Sequence, residues 1–202
     1  EYVLRYEGSG PFSLRGLNVR WAGPTNQAAD VVVVCSGEAD IEACRFRGAA
    51  SAGLEVGGGL VLRGNVHGRV AACRMDNNGY GIKVIEEAAP TLVDNDCRDN
   101  AWAVIAYLDN AGGTASGNAC CNNGIHGIVL GGDAEPLLER NDCADNGDTG
   151  IAYNDGAAGL ALENRARGNR MHGIAVGDEA EPTLERNTCE NNRYGIGFFD
   201  DA

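Results

Sequence analysis

Positively charged residues are scarce in this sequence. Its 202 residues include 16 Lys and Arg against 29 Asp and Glu, which gives a net charge of −13. Because binding to duplex nucleic acid requires a basic surface that displaces counterions, this balance argues against a nucleic-acid-binding protein. The same lack of a basic surface argues against binding of polyanionic sugars. No apolar run approaches the roughly 18 residues of a membrane-spanning helix, so the sequence predicts no membrane span.

Cysteine motifs typical of zinc sites or redox centres are also missing. The eight cysteines form no Cys-x-x-Cys pair, and the three histidines form no His-x₃₋₅-His pair. Four cysteines instead share one register, each two residues after an Asn: Cys97, Cys120, Cys143 and Cys189. The equivalent position in one repeat holds Ala166, so this position suits a small apolar side chain rather than a metal ligand. We therefore expect free, buried thiols.

Asparagine recurs with a period of 23 residues. The first Asn column is Asn95, Asn118, Asn141, Asn164 and Asn187, and the second is Asn100, Asn123, Asn146, Asn169 and Asn192. A third column alternates between Pro and Gly: Pro90, Gly113, Pro136, Gly159 and Pro182. Because of that alternation, the repeating unit is about 46 residues long and consists of two unequal coils.

Each repeat contains three short β-type segments, none of them long enough for a helix. One is a Gly-Ile-type segment, which recurs at 81–84, 103–106, 127–130, 150–153, 173–176 and 195–198. Three strands within 23 residues leave no room for a crossover helix, so each strand must pair in parallel with its copy one turn later. The sequence thus predicts an all-β fold, a right-handed parallel β-helix of about eight coils. We expect the Asn columns at bends, where stacked amides satisfy backbone groups without ladder partners.

From Ile82 onward, the pattern Asn-x-Cys-x₂-Asn-x₂₋₃-Gly-Ile resembles the pectate-lyase-type parallel β-helix repeat, also called the carbohydrate-binding and sugar-hydrolase repeat. The Pro or Gly seven residues before the Cys is similar to that in the β-helix domains of certain F-box proteins and bacterial multidomain proteins. The resemblance covers about 120 residues and implies the fold. It leaves the function open among lyases, hydrolases, epimerases and binding modules.

We expect a single domain, with irregular coils over 1–80 and regular coils over 81–202. Earlier strands are predicted within 14–19, 31–34, 41–46 and 53–56, with an insertion near 57–68. The chain opens without Met and closes directly after a predicted strand, with no amphipathic helix as a cap at either end. Since solenoids need polar caps, we expect a fragment of a larger protein, with neighbouring domains or end-to-end stacking on a partner.

Alternation along the Gly-Ile segments assigns an outward face that is largely apolar. We predict that Lys83, Ile105 and Val129 point to solvent, followed by an outward row with Tyr107 and Asn154. A contiguous exposed apolar strip usually marks an interface. The alternatives are a face covered by a loop, or small residues that only keep the sheet flat.

An acidic row follows these segments: Glu86, Glu87, Asp109, Asp133, Asp155, Asp178 and Asp201. Carboxylates about 4.8 Å apart on neighbouring coils can share a Ca²⁺ ion. In the lyases that the repeat resembles, such a row holds calcium and an acidic sugar. Acidic residues also suit turns and keep solenoid edges soluble. We predict no cofactor, and leave calcium as the one alternative.

The sequence offers few sets of residues that could act together in catalysis. Lyases of this resemblance use a basic residue as the base, and Lys83 is the only lysine in the chain. His126 and His172 lie two coils apart, about 9.6 Å, which is too far for a catalytic pair. No residue is therefore assigned a catalytic role.

We expect a non-catalytic recognition or scaffold module that binds a protein or a glycan along the Gly-Ile face. The predicted contacts are Lys83, Ile105, Tyr107, Val129, Asn154, Asp109, Asp133, Asp155 and Asp178. The alternative is a carbohydrate-active enzyme (polysaccharide lyase, hydrolase or epimerase) that uses the same face. A calcium-stabilised structural spacer is a third reading.

Overall fold

The computed structural model describes residues 1–199, so the predicted acidic position Asp201 lies outside the described residues. The described part of the chain contains 25 short β-strands and no helix. They form three parallel sheets of nine, eight and eight strands, and each coil contributes one strand to each sheet. This arrangement is a parallel β-helix of about eight turns, as the repeat predicts.

The strands follow one another through the three sheets in a fixed order. In chain order they are β1 (Tyr2–Tyr6), β2 (Phe12–Arg15), β3 (Asn18–Arg20), β4 (Asp30–Val34), β5 (Glu38–Glu42), β6 (Arg45–Arg47), β7 (Gly58–Leu62), β8 (His67–Ala71), β9 (Arg74–Asp76), β10 (Tyr80–Val84), β11 (Thr91–Val93), β12 (Asp96–Arg98), β13 (Ala103–Tyr107), β14 (Thr114–Ser116), β15 (Ala119–Cys121), β16 (His126–Leu130), β17 (Leu137–Glu139), β18 (Asp142–Ala144), β19 (Ile151–Tyr153), β20 (Leu160–Leu162), β21 (Arg165–Arg167), β22 (His172–Val176), β23 (Thr183–Glu185), β24 (Thr188–Glu190) and β25 (Tyr194–Phe198). The first sheet runs from β1 to β25 through every third strand, the second from β2 to β23, and the third from β3 to β24.

The core is a column of side chains that the three sheets enclose. In the first sheet, Ile82 pairs with Ile105 and Ile105 with Ile128, all fully buried. The second sheet contributes Leu92 and Ala115, again fully buried, which confirms the alternation of large and small inward residues. The third sheet contributes the column Phe46, Met75, Cys97, Cys120, Cys143, Ala166 and Cys189.

Each corner of the coil turns through one residue in the left-handed region. Before the first Asn column these residues include Asp94, Gly117, Arg140 and Glu163, with φ between 51° and 64°. Before the second column they include Asp99, Asn122, Asp145 and Gly168. Left-handed backbone is unfavourable for Arg and Glu, so these corners depend on stabilisation from their neighbours.

The two Asn columns supply that stabilisation. The side-chain oxygen of Asn118 accepts bonds from both the backbone and the side-chain nitrogen of Asn95, at 3.0 and 2.9 Å. The Asn118 amide group donates in turn to the Leu92 carbonyl and to Asn141. The second column repeats this pattern, with Asn100 bonded to Asn123 and Asn123 to Asn146. Both predicted asparagine ladders are thereby confirmed.

Towards the N-terminus, a cysteine sulfur takes the place of the asparagine oxygen in the first ladder. Cys73 takes the position of an Asn: its backbone nitrogen donates to Asn95, and its sulfur accepts from the Cys44 backbone nitrogen at 3.4 Å. Burial raises the pKa of the Cys73 thiol to about 11. All eight cysteines are free thiols, as the parallel stacking predicts.

Two predictions about the N-terminal part are wrong. Residues 53–56 form no strand; they belong to a loop closed by bridges between Ala29 and Ala50 and between Ala52 and Glu55. The predicted insertion therefore lies before Gly57 rather than in 57–68. Strands β7 and β8 there are regular strands of the first and second sheets. The strands predicted within 14–19, 31–34 and 41–46 are present. Residues 1–199 include no helix with the length and apolarity required to cross a membrane.

Replacing one rung of the ladder tests its contribution. We expect Asn118→Ala to lower the free energy of unfolding by about 3 kcal/mol, because it leaves several buried backbone and amide groups without partners. Urea unfolding followed by circular dichroism measures this change. Asn110→Ala, on an exposed side chain, is the matched control and should change stability by less than about 0.5 kcal/mol. Equal effects of the two substitutions would contradict the role of the ladder.

Candidate functional site

The outward face of the first sheet carries two adjacent rows of side chains. The first row includes Val61, Lys83, Ala106, Val129, Ala152 and Ala175, which the strand register stacks on one another. The next row, just past the strands, includes Ile85, Leu108, Gly131, Asn154 and Gly177. Most of these side chains are small or apolar. Val61, Ala106 and Ala152 are nevertheless buried, so the row is not the contiguous exposed apolar strip that the alternation predicts.

The predicted outward position of two residues is wrong. Ile105 pairs with Ile82 and Tyr107 with Val84, so both point into the core and are fully buried. The error comes from a one-residue shift in this coil, where Val104 occupies the position that Gly81 holds in the previous one. The 23-residue spacing that relates Ile82 to Ile105 is the correct register.

The remaining predicted contacts of the sheet do lie on the outward face. Lys83, Val129 and Asn154 are half-buried there. The side chain of Asn154 donates to the Leu130 carbonyl at 3.1 Å, so one of its amide hydrogens is engaged within the sheet edge.

The buried tyrosines carry an energetic cost. The hydroxyl groups of Tyr107 and Tyr153 are buried among apolar side chains and have no hydrogen-bond partner. Burial raises the pKa of both phenols. Because an unpaired buried hydroxyl is unfavourable, these two groups oppose folding.

The acidic row is part of the corner rather than of an open site. Asp109 and Asp155 have positive φ, and the carboxylates of Asp109, Asp155 and Asp178 accept backbone hydrogens from the preceding coil at 2.9 to 3.1 Å. Asp133 falls outside this register, because Gly132 occupies the corner in its coil. Each carboxylate thus serves as a local substitute for a ladder bond.

This geometry does not support a calcium site. Within residues 1–199, no group of three or more His, Cys, Asp or Glu side chains is arranged to hold a metal ion. Since Ca²⁺ requires six to eight oxygen ligands, a single column of carboxylates already bonded to backbone hydrogens is a poor site.

A groove lies at the N-terminal half of the outward face, and we call it the first-sheet groove. Its volume is about 450 Å³. The lining residues are Glu1, Ala28, Ala29, Asp30, Leu54, Glu55, Val56, Gly57, Tyr80, Lys83, Trp102 and Leu108. The loop over 49–57 thus forms one wall, and strands β10 and β13 with their flanking residues form the floor.

Aromatic side chains and one cation define the chemistry of this groove. The rings of Tyr80 and Trp102 lie 6.3 Å apart between centroids, and Trp102 is 43% exposed. The Lys83 ammonium group lies 5.6 Å from the centre of the Tyr80 ring. Leu54, at the tip of the loop, is almost completely exposed at 97%. Such a groove can hold a ligand that has both an apolar face and hydrogen-bonding groups.

Sequence reasoning found Lys83 but missed Tyr80, Trp102 and the loop. A signal was available for Trp102, because it is one of only two tryptophans and directly follows a corner. The loop wall left no periodic pattern, because it is an insertion into one coil. Only the structure shows that it folds over the first sheet.

The histidines of this face do not meet. His126 and His172 are two coils apart with Thr149 in the coil between them, as expected from their spacing. The Nδ1 atom of His126 is buried without a hydrogen-bond partner. Burial lowers the pKa of His126, and the nearby Asp148 carboxylate opposes that change.

A comparison with protein families identifies the family of this chain. Residues 63–201, more than half of the chain, match the family described as "Periplasmic copper-binding protein (NosD)". A comparison with curated proteins finds no match.

Solved structures share the fold at low sequence identity. Pectate lyase Pel9A superposes with a TM-score of 0.70 and 12% identity, covering 89% of this chain and 56% of that one. A double mutant of the periplasmic alginate epimerase AlgG gives 0.71 and 17%, covering 99% and 59%. The A-module of mannuronan C-5 epimerase AlgE6 from Azotobacter vinelandii gives 0.66 and 12%, covering 98% and 74%. At these identities the likeness concerns the fold alone, and the chain spans little more than half of the first two proteins.

The described residues do not fit a copper site, despite the family description. Soft sulfur ligands favour copper, and the sulfurs of Cys97 and Met75 lie 3.8 Å apart. Both side chains are fully buried, and burial strongly raises the pKa of the Cys97 thiol, whereas metal binding requires the thiolate. Residues 1–199 also contain no cluster of three ligating side chains.

The buried His126 predicts a pH-dependent stability. Its pKa is lowered in the folded state, so below about pH 6.5 the unfolded chain takes up a proton first and stability falls with pH. We expect His126→Gln to lose less stability than the wild type between pH 7.5 and 5.5, measured by urea unfolding. His67→Gln, on an exposed histidine, should keep the wild-type slope. A variant of His126 with that same slope would contradict the assignment.

The orphan hydroxyl of Tyr107 predicts a gain in stability on its removal. Tyr107→Phe should raise the free energy of unfolding by about 1–2 kcal/mol, because the aromatic packing stays and the unsatisfied group is lost. Thermal and urea unfolding measure this change. Tyr80→Phe, on the outward face, is the control and should be nearly neutral. A destabilised Tyr107→Phe would indicate that the hydroxyl has a partner.

Proposed function

This chain belongs to the NosD family of parallel β-helix proteins, and we propose that it is a recognition module that binds a polysaccharide segment in the first-sheet groove without transforming it. The observation that carries this proposal is the pairing of an exposed Trp102 with Tyr80 beside the single lysine of the chain.

The shape of the groove supports a sugar ligand. Its volume of about 450 Å³ falls within the roughly 300–1,000 Å³ typical of small-ligand sites. One face of a pyranose ring is lined by C–H groups and packs well on an aromatic ring, while its hydroxyl groups need polar partners. Trp102 and Tyr80 offer the first kind of contact, and Lys83 offers the second.

The charge of the groove narrows the class of sugar. Its charged side chains are the carboxylates of Glu1, Asp30 and Glu55 and the ammonium group of Lys83. One oxygen of Asp30 accepts the backbone hydrogen of Gly58 at 2.8 Å, so this carboxylate is fixed at the rim. Since like charges repel across a groove of low dielectric, a neutral or amino sugar is favoured over a polyuronate.

The structural neighbours support a glycan rather than a protein as the ligand. A pectate lyase and two alginate-type epimerases share the fold along most of this chain. These proteins are named for acidic polysaccharides, whereas the charge of this groove favours a different sugar within the same ligand class.

Neither the acidic row nor the histidines supply an acid/base pair to the groove, and this favours binding over catalysis. The carboxylates of the acidic row bond to corner backbone, and the two histidines lie on separate coils. General acid–base catalysis needs two groups within hydrogen-bond reach of one reacting centre. Lys83 is the one basic group on the groove floor, and it is the observation that keeps a lyase or epimerase as the second candidate.

Binding to a panel of oligosaccharides tests the proposal. We expect neutral mannan or cellulose oligomers, or chitosan oligomers, to bind more tightly than oligogalacturonate in isothermal titration calorimetry. Trp102→Ala and Lys83→Ala should each weaken that binding at least tenfold, because each removes a contact of the groove. Tyr194→Ala, on an aromatic residue of similar exposure four coils away, is the matched control and should bind like the wild type.

Two results would contradict the proposed role as a recognition module. One is unchanged affinity in Trp102→Ala. The other is turnover of a bound oligomer, seen as new reducing ends or as an unsaturated product, and lost in Lys83→Ala. That second result would establish the enzyme instead.

A further inference from the structure

The outward face of the third sheet holds the main concentration of positive charge in this acidic protein. On its first three coils, Arg20, Arg45, Arg47 and Arg74 surround a single carboxylate, that of Asp76. We call these four residues the arginine cluster. The four arginines and Asp76 together carry a net charge of +3, in a chain whose net charge is −13.

Asp76 is fully engaged by part of this cluster. One of its oxygens accepts from Nε of Arg45 at 2.6 Å and from Nε of Arg74 at 3.1 Å. The other accepts from Nη2 of Arg45 at 2.7 Å and from the Asn77 side chain at 2.8 Å. These bonds lower the pKa of Asp76, with the Arg45 bond as the largest cause. With four donors on two oxygens, the carboxylate has no capacity left for Arg47 or Arg20.

Arg47 lies directly between Arg20 and Asp76 in the strand register. Its Nε atom is buried and has no hydrogen-bond partner. Within residues 1–199, neither Arg47 nor Arg20 takes part in an ion pair, whereas Arg98, Arg165 and Arg167 of the same sheet each do. Two unpaired guanidinium groups stacked on adjacent strands repel each other, and a buried donor without a partner needs an explanation.

A groove opens beside Arg20, the strand neighbour of Arg47. It has a volume of about 460 Å³ and is lined by Arg20, Trp21, Ala22, Gly23, Thr25, Gly48, Ala49, Ala50 and Asn77. None of these lining residues is acidic. The groove follows the corner between the third and the first sheet. It is separate from the first-sheet groove, since the two have no lining residue in common.

We propose that Arg20 and Arg47 bind the phosphate group of a phosphate monoester, whose organic part lies in the groove against Trp21. A guanidinium group presents paired donors that match an oxyanion, and the terminal nitrogens of Arg20 and Arg47 supply them, since the Nε of Arg47 is itself buried. Phosphate carries a charge of about −1.5 to −2 at neutral pH, which matches two unpaired cations better than one carboxylate does. The ligand relieves the repulsion between the two guanidinium groups. This site is independent of the proposed glycan site.

Calorimetric titration with phenyl phosphate, at constant ionic strength, tests this site. We expect one binding site per chain in the wild type. Arg47→Gln and Arg20→Gln should each weaken binding at least tenfold, and Arg20→Gln, on an exposed side chain, keeps the test informative if Arg47→Gln fails to fold. Inorganic phosphate should compete for the same site. Binding of inorganic phosphate as tight as that of phenyl phosphate would overturn the role of the groove.

The control is Arg165→Gln, which removes the same charge from an exposed, ion-paired arginine of the same sheet. It should bind phenyl phosphate within twofold of the wild type. Equal weakening in Arg165→Gln would mean that phosphate senses only the overall charge, and it would overturn the proposal. Absence of binding to the wild type would overturn it as well.

Discussion

The corner of each coil is the constraint on which the rest of this structure depends. A chain that turns three times in 23 residues must place backbone groups where no strand can pair with them. The asparagine ladders meet that requirement at two corners, and the acidic row meets it at the third by accepting backbone hydrogens from the preceding coil. Because each corner bonds to the next coil, the corners fix the register of all three sheets.

A fixed register sorts the side chains into faces with different chemistry. Outward positions of the first sheet are small or apolar and lie beside an aromatic groove, while those of the third sheet carry a cluster of arginines. The interior accepts thiols, methyl groups and even two tyrosine hydroxyls without partners. Two surfaces remain whose side chains the fold itself does not use.

The limits of prediction from sequence are visible at particular residues. The ladder asparagines and the inward Ile82 and Ile128 followed from a strict period, because their neighbours above and below are chemical copies. Tyr107 was misplaced because its coil lacks the Gly that marks the strand start elsewhere, and an error of one residue exchanges inside for outside. Asp133 was misplaced for a similar reason, since Gly132 takes the corner of that coil.

The sequence by itself determined the parallel β-helix, its period, the free thiols and the stacking of asparagine at the bends, because each of these repeats along the chain. Only the tertiary structure decided which residues outside the repeat pattern come together. The loop over 49–57 meets Trp102 and Lys83, and Arg47 is left without a partner because Asp76 is already saturated. Such contacts join residues that follow no common period, so they depend on how the coils and their insertions pack in space.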